Sequence, residues 1–461
     1  MACAIVFRMN RRPAIPKALR NLFWTLFVLF FGWTGLIMSG LMPRLTPQQH
    51  EALALMRAPN EHARGERNAF ELLWLLPRDI PEAERAKVFA ADMAAIDALP
   101  PMEGGDLDLA SARYPRHVEA DERMPEGCSR KPGCLAAVRA NPEAFRSALA
   151  LRAPMLAELD QLGDYDHLRT PHRRSFSAPF PEFQHAGPLQ LARAALRHVD
   201  GDTDAALTGL CRDLRAWRQL KGRSDSLVFE MIALAWLRGG VQLVADIRAE
   251  LPAGQPLPAE CAAALAPLVE AEHQSCDVYR AELAAWDAAL DPTTMFASGP
   301  DPGLGDRANA FAARFVYSRE HTRALQATGL AKVCATLRAP AATSAPAPET
   351  RCSLTARVFN PLGCILADVG LPDYSRYQQR EQDVDALLQA HALADWLATQ
   401  SDIGAAFAAR PELYRALPVT LAPDARSLVL RRREQREDEA PDFTLPLPGS
   451  RIAPPAQAVH P

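Results

Sequence analysis

The chain has 461 residues, 48% of them hydrophobic and 23% charged, which is enough apolar material for a packed core and too much for intrinsic disorder. Its net charge is −4, yet the first 20 residues carry five basic groups and no acidic one, which leaves −9 on residues 21–461. A mildly acidic body argues against nucleic acid as a partner, since phosphates demand a basic face, and against a body held on anionic lipid.

Arg8, Arg11, Arg12, Lys17 and Arg20 precede Leu22 to Met42, a stretch of 21 residues without a charge. At 1.5 Å per residue a helix of that length crosses a hydrocarbon core of roughly 30 Å. The basic flank puts residues 1–20 in the cytoplasm and everything after Arg44 on the far side of the membrane. A cleavable signal is the competing reading, but such segments have an apolar core of about 7–15 residues that ends at small side chains. Here the exit reads Ser39-Gly40-Leu41-Met42-Pro43, so an uncleaved single-pass anchor is expected, touching the lipid bilayer through residues 22–42. Gly35 and Ser39 form a small-xxx-small pair that suits weak homo-oligomerisation, although ordinary small residues of a lone span explain them as well. Lysine supplies only five of the 51 basic residues, which reads as a GC-rich bacterial coding bias. The expected location is the inner membrane of a Gram-negative bacterium, with the bulk of the chain in the periplasm.

Cysteine usage agrees with that topology. Cys3 falls in the cytoplasmic tail, whereas Cys128, Cys134, Cys211, Cys261, Cys276, Cys334, Cys352 and Cys364 all follow the anchor. An even set in an oxidising compartment is expected to pair, and eight cysteines allow 105 connectivities. Cys128 to Cys134 is a short turn-rich loop that can close on itself. Cys334 and Cys352 bracket the Ala/Pro segment 339–349, where a bridge would pin a loop costly to order. Free buried thiols are the alternative for the helix-borne Cys211 and Cys276. Zinc is not expected, because its sites need closely spaced ligand pairs arranged in twos.

After a polar stalk with one short helical turn over 43–66, the pattern is helical. Phe70, Leu73 and Trp74 share a face, and Pro81, Glu82 and Glu84 open a second helix that runs to about Leu99. Residues 100–127 read as a surface loop. Asn141-Pro142-Glu143 is an N-terminal signal within a helical region over 133–163, and Asp202-Thr203 caps a helix lined by Leu207, Leu210, Leu214 and Trp217. Asp225 to Leu251 is the most apolar stretch outside the anchor. Glu230 and Arg238 interrupt it, so it reads as a central core helix with a kink at Gly239-Gly240, not a second span. Glu230 is expected to pair with an arginine such as Arg238 or one on a neighbouring helix. Tyr279, Leu283, Trp286 and Leu290 form a further stripe, one helix is expected from about Asp306 to Leu337, and one or two more over Tyr374 to Ala408. Alternation over Ser427–Arg431 and Asp442–Leu447 predicts a hairpin.

The expected fold is therefore mainly α: a single N-terminal transmembrane helix, then a disulfide-stabilised multi-helix periplasmic bundle with a small C-terminal β-hairpin. Its divisions are a basic tail (1–20), an anchor (21–42), a stalk (43–66), a helical domain (67–338), an Ala/Pro linker or loop (339–350), a C-terminal helical part with the hairpin (351–450) and a tail (451–461).

Catalytic signatures are missing. The chain has no Gly-x-Ser-x-Gly elbow, Walker loop, His-Glu-x-x-His or Ser-x-x-Lys set of the penicillin-binding kind, and no catalytic, cofactor-binding or metal-binding residue is assigned. Two Glu-x-x-His patterns, Glu182–His185 and Glu270–His273, invite comparison with di-iron bundles, and Glu270–His273 falls where a helix is expected. An exposed polar face is the preferred explanation. The candidate binding loop is Asp164, Tyr165, Asp166, His167, Arg169 and His172, a mixture that grips polar ligands. The preferred reading is an irregular connection with Tyr165 and Phe176 plugging the core while its charges face water. The expected function is a non-catalytic interaction or scaffold component of a cell-envelope assembly, with other envelope proteins as partners. The alternative is an envelope-acting hydrolase that uses the Asp164–His172 loop with Glu230 or Glu270.

Overall fold

The computed structural model describes residues 17–38, 44–57, 67–99, 107–118, 122–128, 133–172, 178–273, 276–291, 295, 303–313, 315–337, 352–370, 374–435 and 440–451. The start of the basic tail, all of the Ala/Pro linker, Phe176 and the last ten residues lie outside them. In chain order come α1 (Lys17–Met38), α2 (Pro47–Arg57), α3 (Phe70–Leu75), α4 (Glu82–Asp97), α5 (Cys134–Ala140), α6 (Pro142–Leu151) and α7 (Ala153–Leu159). Then follow α8 (Ala186–Val199), α9 (Thr203–Gly222), α10 (Leu227–Ala249), α11 (Ala259–Ala264), α12 (Cys276–Ala289), α13 (Leu304–Ala313) and α14 (Arg319–Leu337). The last are α15 (Leu354–Phe359), α16 (Pro361–Gly370), α17 (Ser375–Ala398), α18 (Ile403–Ala408) and α19 (Glu412–Arg415).

Local chemistry sets many helix starts. The Asn141 side chain accepts from the Ala144 N–H with Pro142 at the first helical position, and Asp202 does the same for Ala205 at the head of α9. The expected single helix over 306–337 is instead two, because Ser318 starts α14 afresh: its carbonyl accepts from Thr322 and its hydroxyl from His321. The break lets Asn360 enter, accepting from the Ser318 N–H at 2.7 Å and donating to the Thr322 hydroxyl at 3.0 Å. The expected stalk holds more than one turn: α2 has 11 residues and buries Ala52, Leu53 and Met56.

α10 is long and apolar enough to cross a membrane by length and composition. It packs against α8, α9 and α17 in the larger core, and Phe229, Leu237, Val241, Val244 and Ile247 are buried. It continues unbroken through Gly239 and Gly240, where the sequence predicts a kink. The glycine at 240 admits a neighbour, since a Cβ there would stand 2.4 Å from Leu214 Cδ2. Gly187 likewise makes room for the Trp236 ring, 2.2 Å from where its Cβ would be. Phe183, Trp217, Phe229 and Trp236 form an aromatic centre, with the two indoles 4.3 Å apart. The polar handle of Trp217 is satisfied by Gln190 at 2.8 Å.

A smaller core joins α2, α12 and α14 through Leu53, Met56, Val278, Tyr279, Leu330 and Val333, together with Tyr374. α17 and the sheet belong to the larger core. The expected hairpin is part of a three-stranded antiparallel sheet of β1 (Val419–Leu421), β2 (Ser427–Arg431) and β3 (Asp442–Pro446) in that order. Val419 faces Leu430, and Leu428 and Leu430 face Leu445 and Phe443, so one side of the sheet is apolar and lies on α10 and α17.

Four cysteine pairs stand at bonding distance: Cys128–Cys134, Cys211–Cys261, Cys276–Cys334 and Cys352–Cys364. The local closure at Cys128 is as expected. The Cys334–Cys352 bridge is not: Cys334 faces Cys276 across the α12–α14 contact, and Cys352 ties the start of α15 to α16. Cys211 and Cys276, candidates for free thiols, are both paired.

Candidate functional site

The Asp164–His172 segment is irregular, and several of its polar groups are bound within the protein, although the buried His167 Nδ1 has no hydrogen-bond partner. Asp164 ends a short 3₁₀ turn and is exposed, Tyr165 and Asp166 are half-buried, and His167, Arg169 and His172 are buried. Asp166 accepts from the Arg67 N–H at 3.0 Å, and the Arg67 guanidinium lies over the Tyr165 ring. Asn68 clamps Arg169 twice, donating to its carbonyl at 2.7 Å and accepting from its N–H at 3.0 Å. The Arg169 side chain reaches Asp277 of α12 at 3.2 Å, and Asp277 also accepts from Arg280 at 2.8 Å. Thr170 donates its N–H to Asp225 at 3.1 Å, and the His172 ring meets Phe70 edge-on. Burial, then the Arg169 charge, pushes His167 below the usual imidazole range, so it is neutral at pH 7. The segment thus sews together three distant parts of the chain, near residues 68, 225 and 277.

The Glu-x-x-His patterns are likewise absorbed. Glu270–Glu272 is a 3₁₀ turn, not the expected helix. Arg218 of α9 holds this region, donating to the carbonyls of Ala263, Ala264, Ala266 and Pro267 and to Glu272. Lys221, one turn on, is fully buried, donates to the Glu272 carbonyl at 2.5 Å and pairs with Glu381 of α17. Glu381 also stands 3.7 Å from His273 and raises its pKa. Glu182 pairs with Arg116. Glu230 is buried in α10, and its charge adds to burial in pushing the Tyr279 hydroxyl well above its usual range. Among the described residues no three His, Cys, Asp or Glu side chains form a group that could hold a metal ion.

Two of the cavities among the described residues lie elsewhere. A polar cleft of about 530 Å³ runs between α5, α10 and the sheet, lined by Arg139, Gln242, Asp246, Arg426 and Arg451 among others. Its charges are largely matched within the chain: Arg139 grips Glu250 with both terminal nitrogens, and Arg451 meets Asp246 at 2.6 Å. A cavity of about 790 Å³ is almost wholly apolar and opens where α1 meets the body. Phe30, Phe31 and Trp33 of α1 form one wall, and Ala312, Val316 and Leu362 belong to the other. The Trp33 indole N–H donates to the Val358 carbonyl at 2.9 Å. Such a lining offers no acid, base or nucleophile and suits an apolar occupant. Neither cavity is lined by Asp164, His167, His172, Glu230 or Glu270, the groups the hydrolase alternative requires. Sequence reasoning missed the apolar wall of Ala312, Ala313, Phe315, Val316 and Leu362, because these residues are apolar singles that carry meaning only once they are brought together.

No protein-family model, curated protein or solved structure matches this chain.

Proposed function

We propose that the chain is a membrane-anchored, exported helical protein that acts as a non-catalytic interaction or scaffold component of a cell-envelope assembly. The reading places its short basic tail in the cytoplasm and its body in the periplasm of a Gram-negative bacterium. The observation that carries it is α1, a 22-residue helix that leaves Leu22, Phe23, Leu26, Val28, Leu29 and Phe30 exposed. So many bare apolar side chains on one helix are stable only where hydrocarbon, not water, surrounds them. Among the described residues α10 alone meets the length and composition of a span, but its apolar faces are already occupied by α8, α9 and α17, so this reading assigns the membrane to α1. The four cysteine pairs support an oxidising compartment for the body. The non-catalytic part rests on the candidate loop, where Asp166 and Arg169 are engaged in holding the fold.

Proximity labelling in living cells tests this, with a labelling enzyme fused after Pro461 and exported with the full chain. Enrichment of one defined envelope complex, lost when α1 is exchanged for an unrelated anchor and secretion is kept, is the expected result. A profile indistinguishable from that of a free periplasmic labelling enzyme would sink the scaffold reading.

A further inference from the structure

One edge of the small sheet opens into the polar cleft. Arg432 donates its N–H to the Pro441 carbonyl at 3.1 Å, and Leu447 donates to the Arg426 carbonyl at 2.9 Å. These bonds lie on the register that sets Leu430 against Phe443 and Leu428 against Leu445. Phe443 and Leu445 therefore turn their backbone N–H and C=O groups to β2, and Asp442 and Thr444 turn theirs outward, to the free edge of the sheet. Thr444 is exposed, and no described residue bonds its backbone on that side. Thr444 and Pro446 line the cleft of about 530 Å³, and Leu135, Ala136 and Arg139 of α5 belong to the same lining. A free strand edge facing a cleft is a template for one more strand.

Two observations narrow the occupant. The first is Pro446, which has no N–H to give. In an antiparallel pair of two β3 strands centred on Thr444 it would stand opposite Asp442 and leave that carbonyl unbonded, so the edge is ill suited to a second copy of itself. The second is charge. Of the three arginines in the cleft, Arg139 is matched by Glu250, and Arg451 by Asp246 at 2.6 Å. Arg426 is exposed, and its guanidinium has no carboxylate partner among the described residues. The neighbouring Asp424 instead holds the turn before β2, accepting from the Arg426 backbone N–H at 3.0 Å. Arg426 is thus the cation in this cleft that the chain leaves unmatched, and a carboxylate is its complement.

We propose that the cleft takes an extended acidic segment of a partner protein, added to the sheet as a fourth strand beside β3, with a side-chain carboxylate on Arg426. The proposal rests on the interaction reading above and names the kind of partner that reading requires. Main-chain bonds to Thr444 are available to any extended segment, whereas Arg426 selects the acidic one.

The test offers the full chain in detergent two pools of random octapeptides capped at both ends, one containing Asp and Glu and the other with Asn and Gln in their place. Peptides that stay bound are identified by mass spectrometry. Enrichment from the acidic pool alone is expected, and the enriched peptides should slow hydrogen exchange at the Thr444 N–H. Arg426→Gln, made at an exposed side chain without a partner, should keep the urea midpoint and bind these peptides about tenfold more weakly. Equal enrichment from both pools, or unchanged affinity in Arg426→Gln, would overturn the assignment of an acidic partner. Enrichment without slowed exchange at Thr444 would overturn strand addition. No enrichment from either pool would overturn the site and leave the scaffold reading standing, since proximity labelling tests that reading separately.

Discussion

Arg169 shows how a residue suited to ligand binding becomes a structural tie. Its guanidinium is buried and paired with Asp277, 108 residues away, so removing it takes one of two partners from a buried carboxylate. Breaking such a pair costs about 3–5 kcal/mol. Because Asp277 keeps Arg280, Arg169→Ala should fall at the low end of that range in urea unfolding of the full chain in detergent. The exposed Asp164→Ala should change stability by less than about 0.5 kcal/mol. The reverse ranking would reopen the loop as a binding site. His391 makes a pH prediction. It is buried in α17, and desolvation holds its pKa below the usual value of 6.5, with Arg248 adding to that and Asp395, at 3.7 Å, opposing it. The folded protein therefore resists protonation that the unfolded chain accepts. Stability present above pH 6.5 is lost as the pH falls below it. The urea midpoint should drop between pH 7.5 and 5.5 by more in the wild type than in His391→Gln, and equal drops would count against this assignment.

At the scale of elements, what was legible in the sequence was local. The Asn141 and Asp202 caps, the Pro81 start and the apolar stripes at 207–217 and 279–290 are each written within a few residues, and helices stand there. The break at 315–318 was not legible, because Asn360 enters it from 42 residues downstream. Nor was β1, three residues long, which exists only through its pairing with β2. Cysteine partners are the clearest case: the Cys334–Cys352 expectation weighed loop length, whereas pairing followed helix contacts that no local pattern records. The pairs make an ordered prediction. On chain-entropy grounds Cys211–Cys261, which closes 50 residues, contributes about 4 kcal/mol, against about 2 for Cys128–Cys134, which closes six. Paired Cys→Ser variants compared by urea unfolding should keep that order, and a larger loss at Cys128–Cys134 would show that native packing, not loop closure, dominates.

Across the whole molecule, chain order and spatial order diverge. The larger core collects residues from 69 to 268 and again from 384 to 447, and the smaller one collects 52–56, 278–283 and 324–334. Met231 packs against both cores, and Arg169–Asp277 spans them, so the two are mechanically joined. This joining was invisible in the sequence, because each contact bridges scores of residues with no shared motif. The candidate site fared similarly. The loop was found from its composition, but its role depends on partners near 68, 225 and 277 that composition cannot supply.

The cysteine pairs obey one further regularity. The eight cysteines after α1 pair consecutively along the chain: first with second, third with fourth, and so on. On the topology proposed above, the body is exported progressively behind its anchor and presents its thiols in that same order. An oxidant that joins each thiol to the next one to emerge would therefore reach the native set directly. Of 105 connectivities, it is the one that joining each thiol to the next would produce, so under the proposed export the native set calls for oxidation without reshuffling of wrong bonds.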